Sequence, residues 1–115
     1  MSAIWGVING KKNITKTVVS AMQDSMKEFV IDRCDCIIRD SVYFACGLQH
    51  FTKISHSERL PIYDESTETY FTADCVLTNR EEVIRMLSDA YSKDTLNALG
   101  DGELSYKAYL QFGER

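Results

Sequence analysis

The sequence has 115 residues, of which 44% are hydrophobic and 26% charged, a composition typical of one folded domain and unlike that of a disordered chain. Thirteen basic and seventeen acidic residues give a net charge of −4, which excludes a basic field for nucleic acid or an anionic membrane. No apolar run approaches the roughly 20 residues of a membrane span, and Met1 to Lys12 lack the pattern of a signal peptide. We therefore expect a cytoplasmic protein that binds neither nucleic acid nor membrane.

The first two predicted elements are a strand and a helix. Ala3 to Ile8 form a short apolar run that ends at the turn signal Asn9-Gly10, which predicts a buried strand. Apolar residues then recur at helical spacing. This spacing predicts a helix from Ile14 to about Phe29, with Asn13 as its N-cap and one apolar stripe buried.

The middle of the chain favours strands. Asp35 to Arg39 and Val42 to Phe51 are rich in β-forming residues and are separated by Asp40-Ser41, which indicates a hairpin or two consecutive strands. Lys53 to Arg59 is polar and typical of a loop. Thr69 to Leu77 is rich in β-forming residues again and predicts a further strand.

The last part of the chain favours helices. Thr78 and Glu81 have the spacing of a capping box, so we predict a helix that begins there and runs through Leu87. A short helical turn is expected within Ser88 to Leu99, and Asp101 is placed as the N-cap of a last helix. Contiguous strands followed by helices are the pattern of an α+β fold.

Cysteine and histidine residues give no strong metal signal. Cys34 and Cys36 form a C-x-C pair, a weak metal spacing without an accompanying C-x-x-C motif. We expect all four cysteines to be reduced and to act as small apolar side chains, with no bound metal; they are Cys34, Cys36, Cys46 and Cys75. His50 is expected to be a sheet residue, and His56 to lie in a polar loop.

Function is indicated only by local sequence strings, because P-loop, dinucleotide-binding, nucleophile-elbow and zinc-protease motifs are absent. The start, Met-Ser-Ala-Ile-Trp-Gly-Val, resembles the Met-Cys-Gly-Ile-x-Gly-Val of class II glutamine amidotransferase domains at the front of asparagine synthetases. Leu60 to Asp64 resembles the family's Gln-Pro-Leu-Tyr-Asn turn, and Ala73 to Glu81 its strand-to-helix segment Val-Asn-Gly-Glu-Ile-Tyr-Asn. Gly100 to Glu103 resembles the Ser-Asp-x-Glu that opens a later helix, and these matches keep their order along nearly the whole chain.

The resemblance implies the αββα sandwich of amino-terminal-nucleophile (Ntn) hydrolases, with two stacked antiparallel sheets between helical layers. It implies one amidotransferase-like domain over residues 1–115 that holds only the earlier part of this fold, in a protein that continues into a synthetase half. That C-terminal half would be the partner of this domain and would bind ATP and magnesium, whereas no cofactor is expected in the domain itself. Since an incomplete sheet leaves an edge unpaired, we also expect self-association.

The resemblance also assigns site residues and implies that the site has decayed. Ser2 stands where the family has its cysteine nucleophile, whose own α-amine acts as the base. Asp74 and Cys75 replace the Asn-Gly pair that donates hydrogen bonds to the oxyanion, a role that an ionised carboxylate cannot fill. Arg33 falls at the position that binds the glutamine α-carboxylate, and Asp101 at the position that binds the α-amine. A surface ion pair for Arg33 and a helix cap for Asp101 are the equally weighted alternatives.

Three functions remain open from the sequence. The first, which we favour, is a degenerate amidotransferase domain that forms the structural front half of an ATP-dependent amide-forming enzyme. The second is a working glutaminase that uses Ser2 after removal of Met1. The third is a stand-alone module that binds an amino acid or a partner protein and catalyses nothing.

Overall fold

A computed structural model describes residues 2–114 of the chain. These residues form five β-strands in two antiparallel sheets, four α-helices and one 3₁₀ turn, so the predicted α+β class is confirmed. The chain divides into two compact units, residues 2–49 with 60–74 and residues 50–59 with 75–114. We call them the first unit and the second unit.

The first unit contains both sheets, and its elements in chain order are β1 (Ala3–Ile8), α1 (Lys16–Ser25), β2 (Arg33–Arg39), β3 (Val42–Leu48), β4 (Ile62–Asp64) and β5 (Thr69–Phe71). The larger sheet has the order β1-β3-β2, and both of its pairings are antiparallel. The smaller sheet is the β4-β5 hairpin. The predicted strand at Ala3 to Ile8 and the predicted β2-β3 hairpin are both confirmed.

The core of the first unit lies around the central strand β3. Cys46 and Leu48 are buried together with Leu60, and partly buried apolar side chains of the smaller sheet pack against this cluster. Tyr43 points to the opposite face of β3, since strand residues of odd and even number alternate between faces. Its side chain is fully buried, and its hydroxyl accepts a 2.9 Å hydrogen bond from Nε1 of Trp5.

The second unit is helical, and its elements are a 3₁₀ turn (Ile54–Ser57), α2 (Arg80–Leu87), α3 (Lys93–Asn97) and α4 (Asp101–Phe112). Its core consists of four buried residues contributed by the three helices, Ile84, Leu87, Leu96 and Leu104. The spacing of Ile84 and Leu87 places both on one face of α2, as expected for an amphipathic helix. No helix among residues 2–114 has both the length and the apolar character needed to cross a membrane.

A carboxylate from a distant part of the sequence caps the start of α4. Glu58 is only 7% exposed, and its two oxygens accept hydrogen bonds from the backbone N–H groups of Gly102 and Glu103. Gly100, the residue before the helix, provides no side-chain cap and lies directly against the Glu58 carboxylate. The first turn of a helix leaves N–H groups without intrahelical partners and favours a negative charge, so Glu58 satisfies both requirements.

The first helix is shorter and more exposed than its apolar spacing predicts. It begins after Thr15, not Asn13, because the Thr15 hydroxyl accepts the N–H of Val18. It ends at Ser25, where the chain passes into turns in which the N–H of Phe29 binds the carbonyl of Met26. None of its residues is buried, so the predicted buried stripe is wrong.

Three strand predictions also need correction. The first strand is not fully buried, since its residues alternate between half-buried and exposed positions, as expected for a strand with one covered face. The strand expected from Thr69 to Leu77 ends at Phe71, because its partner β4 is only three residues long. Likewise β3 ends at Leu48 and not at Phe51, so His50 is not on a strand.

The caps of the last two long helices differ from the prediction. Asn79, not Thr78, is the residue before α2, and its side chain makes no capping hydrogen bond. Asp101 is the first residue of α4, not its N-cap, because its carboxylate is bound elsewhere and Glu58 takes the capping role. The short helix expected within Ser88 to Leu99 is confirmed as α3.

Candidate functional site

Ser2 lies immediately before β1, at the end of the larger sheet. Its Oγ accepts a 3.3 Å hydrogen bond from the backbone N–H of Gln49, the residue after β3. Ser2 is half-buried, and this hydrogen bond connects its side chain to the end of β3. Met1, whose removal would give Ser2 a free amine, lies outside the described residues.

Arg33 is the first residue of β2 and lies at the same end of the sheet as Ser2. The register pairs Arg33 with Leu48, and extending the β1-β3 register by one residue places Ser2 opposite Leu48 from the other side. Paired residues of an antiparallel sheet share a face, and neighbouring strands are about 4.8 Å apart. Ser2 and Arg33 are therefore brought to one face of the sheet, roughly 10 Å apart across β3.

The Arg33 guanidinium already has a partner on its own strand. Its Nε donates to Oδ2 of Asp35 at 2.5 Å, and residues two apart on a strand lie on the same face. Both side chains are more than a third exposed, and such pairs contribute little to stability. The alternative reading of Arg33 as a surface ion pair thus describes its contact in this structure.

Asp74 and Cys75 lie in a segment without regular secondary structure between β5 and α2, and both are exposed. Asp74 belongs to the first unit and Cys75 to the second. The Cys75 sulfur lies 3.7 Å from Oγ of Ser105 on α4. An exposed carboxylate at position 74 offers only hydrogen-bond acceptors when ionised, whereas an oxyanion needs donors.

Asp101 is held by the second unit's own residues. One carboxylate oxygen accepts a 2.7 Å bond from Nη1 of Arg80, and the other accepts a 3.0 Å bond from the N–H of Leu77. Arg80 also donates through Nη2 to the carbonyls of Leu99 and Asn97, at 2.6 and 3.3 Å. The pair is largely shielded from solvent, so a ligand amine would have to compete with Arg80 for this carboxylate.

The structure thus brings the assigned residues together in two groups. Ser2 and Arg33 share one end of the larger sheet in the first unit. Cys75 and Asp101 both lie near the first turns of α4 in the second unit, where Ser105 Oγ approaches the Cys75 sulfur and donates to the Asp101 carbonyl at 2.9 Å. Asp74 is in the first unit.

Two polar residues that the sequence interpretation did not single out have central roles. The polar sequence around Glu58 predicts a loop, and its partners are 44 and 45 residues away, so no local pattern indicates its function. Gly100, immediately before Asp101, is a local sign of this close approach. The sequence places Arg80 only at the start of a predicted helix.

Of the four cysteines, only Cys46 is buried. Cys34, Cys36 and Cys75, which are also expected to act as small apolar side chains, are exposed, because β2 is an edge strand and the segment of Cys75 lies at the surface. Partial desolvation raises the pKa of the Cys34 thiol although the residue is exposed, and the neighbouring Cys36 and Asp35 raise this pKa further. Within residues 2–114, no three His, Cys, Asp or Glu side chains are grouped to hold a metal ion.

The two histidines lie in the second unit, where the rings of His50 and His56 stack with their centroids 4.3 Å apart.

Comparison of the chain with protein-family models, curated proteins and solved structures finds no match.

Proposed function

We propose that this chain is a degenerate class II glutamine amidotransferase domain from an asparagine-synthetase-related protein, with the Ntn-hydrolase sandwich as its parent fold. It has lost glutaminase activity and acts as a structural front part for a synthetase half that makes an amide with ATP and magnesium. The observation that carries the proposal is the binding of the Asp101 carboxylate by Arg80 and by the N–H of Leu77. A position assigned to the substrate amine is thereby used for internal structure.

The arrangement of Ser2 and Arg33 supports descent from a glutamine site. In the proposed parent, the nucleophile attacks the side-chain amide while the arginine binds the α-carboxylate at the other end of the same molecule. A separation of roughly 10 Å across one intervening strand leaves room for a ligand of that length between the two side chains. Bidentate binding of a carboxylate is a role to which a guanidinium is well suited.

Two features support the loss of catalysis. A serine hydroxyl is a weaker nucleophile than a thiol, which is partly ionised at neutral pH. The exposed Asp74 carboxylate would repel the negative charge that develops on the amide oxygen. Removal of a single oxyanion donor typically costs about 10²–10³ in rate, so the combined changes should leave no measurable turnover.

The test is a coupled ammonia assay on the purified protein, with Met1 removal verified by mass spectrometry. We expect glutamine to yield no more ammonia than buffer, both with Met1 retained and with Ser2 at the amino terminus. Ammonia release above buffer that disappears in Ser2→Ala would overturn the proposal and establish a serine-dependent glutaminase. Ser57→Ala, which alters a serine of the 3₁₀ turn, is the matched control and should change nothing.

A further inference from the structure

The two edges of the larger sheet differ in charge. β2 carries Arg33, Asp35 and Arg39, and charged side chains on an edge strand discourage pairing with another chain. β1, the opposite edge, reads Ala-Ile-Trp-Gly-Val-Ile and carries no charge and no proline. One edge of the sheet is therefore protected against strand addition, and the other is open to it.

Two isoleucines of β1 are exposed on one face. Ile4 is 46% and Ile8 69% exposed, and their even numbers place them on the same face of the strand as Gly6. Together with Phe44 and Thr72 they line an open groove of about 410 Å³. Exposed apolar side chains beside an uncharged sheet edge mark a surface suited to a partner strand.

We propose that a second copy of this chain adds to the β1 edge, so that two β1 strands pair antiparallel about a twofold axis at Gly6. Directly opposite residues of an antiparallel pair share a face. An axis at Gly6 places Ile4 of each copy opposite Ile8 of the other, which removes both exposed isoleucines from water. The two three-stranded sheets become one six-stranded sheet.

The sequence of β1 favours a second copy over a strand from a different protein. Because β1 carries no charged residue, its pairing with another strand depends on its apolar side chains. Under this symmetry the two isoleucines of one copy lie opposite the two isoleucines of the other copy. An axis at Trp5 would instead place Ile4 opposite Gly6 and leave Ile8 without an apolar partner. The interface is one short strand and its groove, smaller than the interfaces of permanent dimers, so the association is reversible and depends on concentration.

Sedimentation equilibrium tests the proposal, which does not depend on the proposed function. We expect the mass to rise from 13.1 kDa to twice that value as the concentration increases from about micromolar to millimolar. Ile8→Lys places a charge on the paired edge and should raise the dissociation constant at least tenfold. The matched control is Ile38→Lys, because Ile38 is a 49% exposed isoleucine on the opposite edge strand; it should leave the dissociation constant within about twofold.

The register is tested by disulfide formation between two single variants, Ile4→Cys and Ile8→Cys, with the exposed cysteines 34, 36 and 75 replaced by serine. A mixture of the two should form the mixed disulfide faster than either variant forms a disulfide with itself. Far-UV circular dichroism confirms that each variant is folded, which is expected because the substituted side chains are exposed. A chain that stays monomeric at every concentration, a dimer weakened equally by Ile38→Lys, or preferential self-linkage of either cysteine variant would overturn the proposal.

Discussion

The carboxylate of Glu58 accepts a 3.0 Å hydrogen bond from the backbone N–H of Gly102, which lies 44 residues further along the chain. Its second oxygen accepts the N–H of Glu103 at 3.1 Å. This contact attaches the segment after the 3₁₀ turn to the start of α4 within the second unit. Hydrogen bonds to a buried charged group are stronger than those between neutral groups, so Glu58 should contribute much to the stability of this unit.

Replacement of Glu58 with alanine should lower the free energy of unfolding by about 2 kcal/mol, because two N–H groups at the start of α4 lose a charged acceptor. Urea unfolding followed by far-UV circular dichroism measures the loss. Glu82→Ala is the control, since Glu82 is an exposed glutamate in the first turn of α2, and we expect a change within about 0.5 kcal/mol. Equal losses in the free energy of unfolding for the two substitutions would contradict a specific stabilising role for the Glu58 hydrogen bonds.

Gly100→Ala should destabilise the protein because a Cβ at this position would overlap the Glu58 carboxylate, and forced overlap in a packed site costs about 1–3 kcal/mol. Gly10→Ala is the control, because a Cβ at Gly10 meets no atom within 4 Å. The three atoms nearest to this Cβ all belong to the Glu58 carboxylate, so Gly100→Ala should cost little in a chain that already carries Glu58→Ala. A double-mutant cycle without this coupling would contradict the described packing.

Stability should respond to the ionisation of Glu103. Burial raises the pKa of this carboxyl above its ordinary value of 4.5, and the nearby charge of Glu58 also raises it, against the opposing effect of the Arg59 N–H. As the pH rises through this range, the unfolded chain loses the proton first, so the contribution of Glu103 to the free energy of unfolding decreases. Glu103→Gln removes this penalty, and its stability relative to the natural chain should be greater at pH 7 than at pH 4. A relative stability that does not vary with pH would contradict this prediction.

The thiol of Cys34 should react slowly with alkylating reagents at neutral pH, because its raised pKa keeps it protonated. Cys36→Ser removes one of the groups that raise this pKa, so the pH profile of Cys34 alkylation should move to lower pH. Peptide mass spectrometry after timed alkylation gives the rate for this one residue. Cys75→Ser, which changes a cysteine of the second unit, should leave the profile unchanged.

Repair of the proposed glutamine site should require several substitutions in order. Ser2→Cys alone should remain inactive after Met1 removal, because the oxyanion would still lie near the Asp74 carboxylate. Two unit negative charges about 4 Å apart repel by roughly 4 kcal/mol at an effective dielectric constant of 20, which is close to a thousandfold in rate. Asp74→Asn and Cys75→Gly must be added before the ammonia assay gives a signal. Substantial hydrolysis by Ser2→Cys alone would contradict the assignment of Asp74 and Cys75 to the oxyanion position.

The elements predicted best are those that local sequence determines. The β2-β3 hairpin follows from two β-rich segments that flank a polar pair, and Asp40 in that pair adopts a positive φ of 48°, which aspartate tolerates better than most residues. The bounds of β1 follow from an apolar run that ends at a turn signal. In these elements the contacts that decide the structure are between near neighbours in the sequence.

Predictions failed where partners distant in sequence decide the outcome. Whether Thr72 to Leu77 continues a strand depends on a partner strand, and β4 extends over only three residues. The start of α4 has a plausible local cap in Asp101, but Arg80 and Leu77 bind that carboxylate. Residue spacing cannot show whether the Asp101 carboxylate caps its own helix or binds residues distant in the sequence. For the same reason, the resemblance assigns Asp101 to the site but does not show that Arg80 and Leu77 bind it.

The hydrogen bond between Trp5 and Tyr43 gives the first unit an optical label of its own. Trp5 is the only tryptophan in the chain, and its indole N–H donates to a hydroxyl on the central strand of the larger sheet. Tryptophan emission therefore originates in the β1-β3-β2 sheet, since the second unit contains no tryptophan. The natural sequence can thus be used, without an added fluorophore, to record the unfolding of that sheet separately from the helices of residues 75–114.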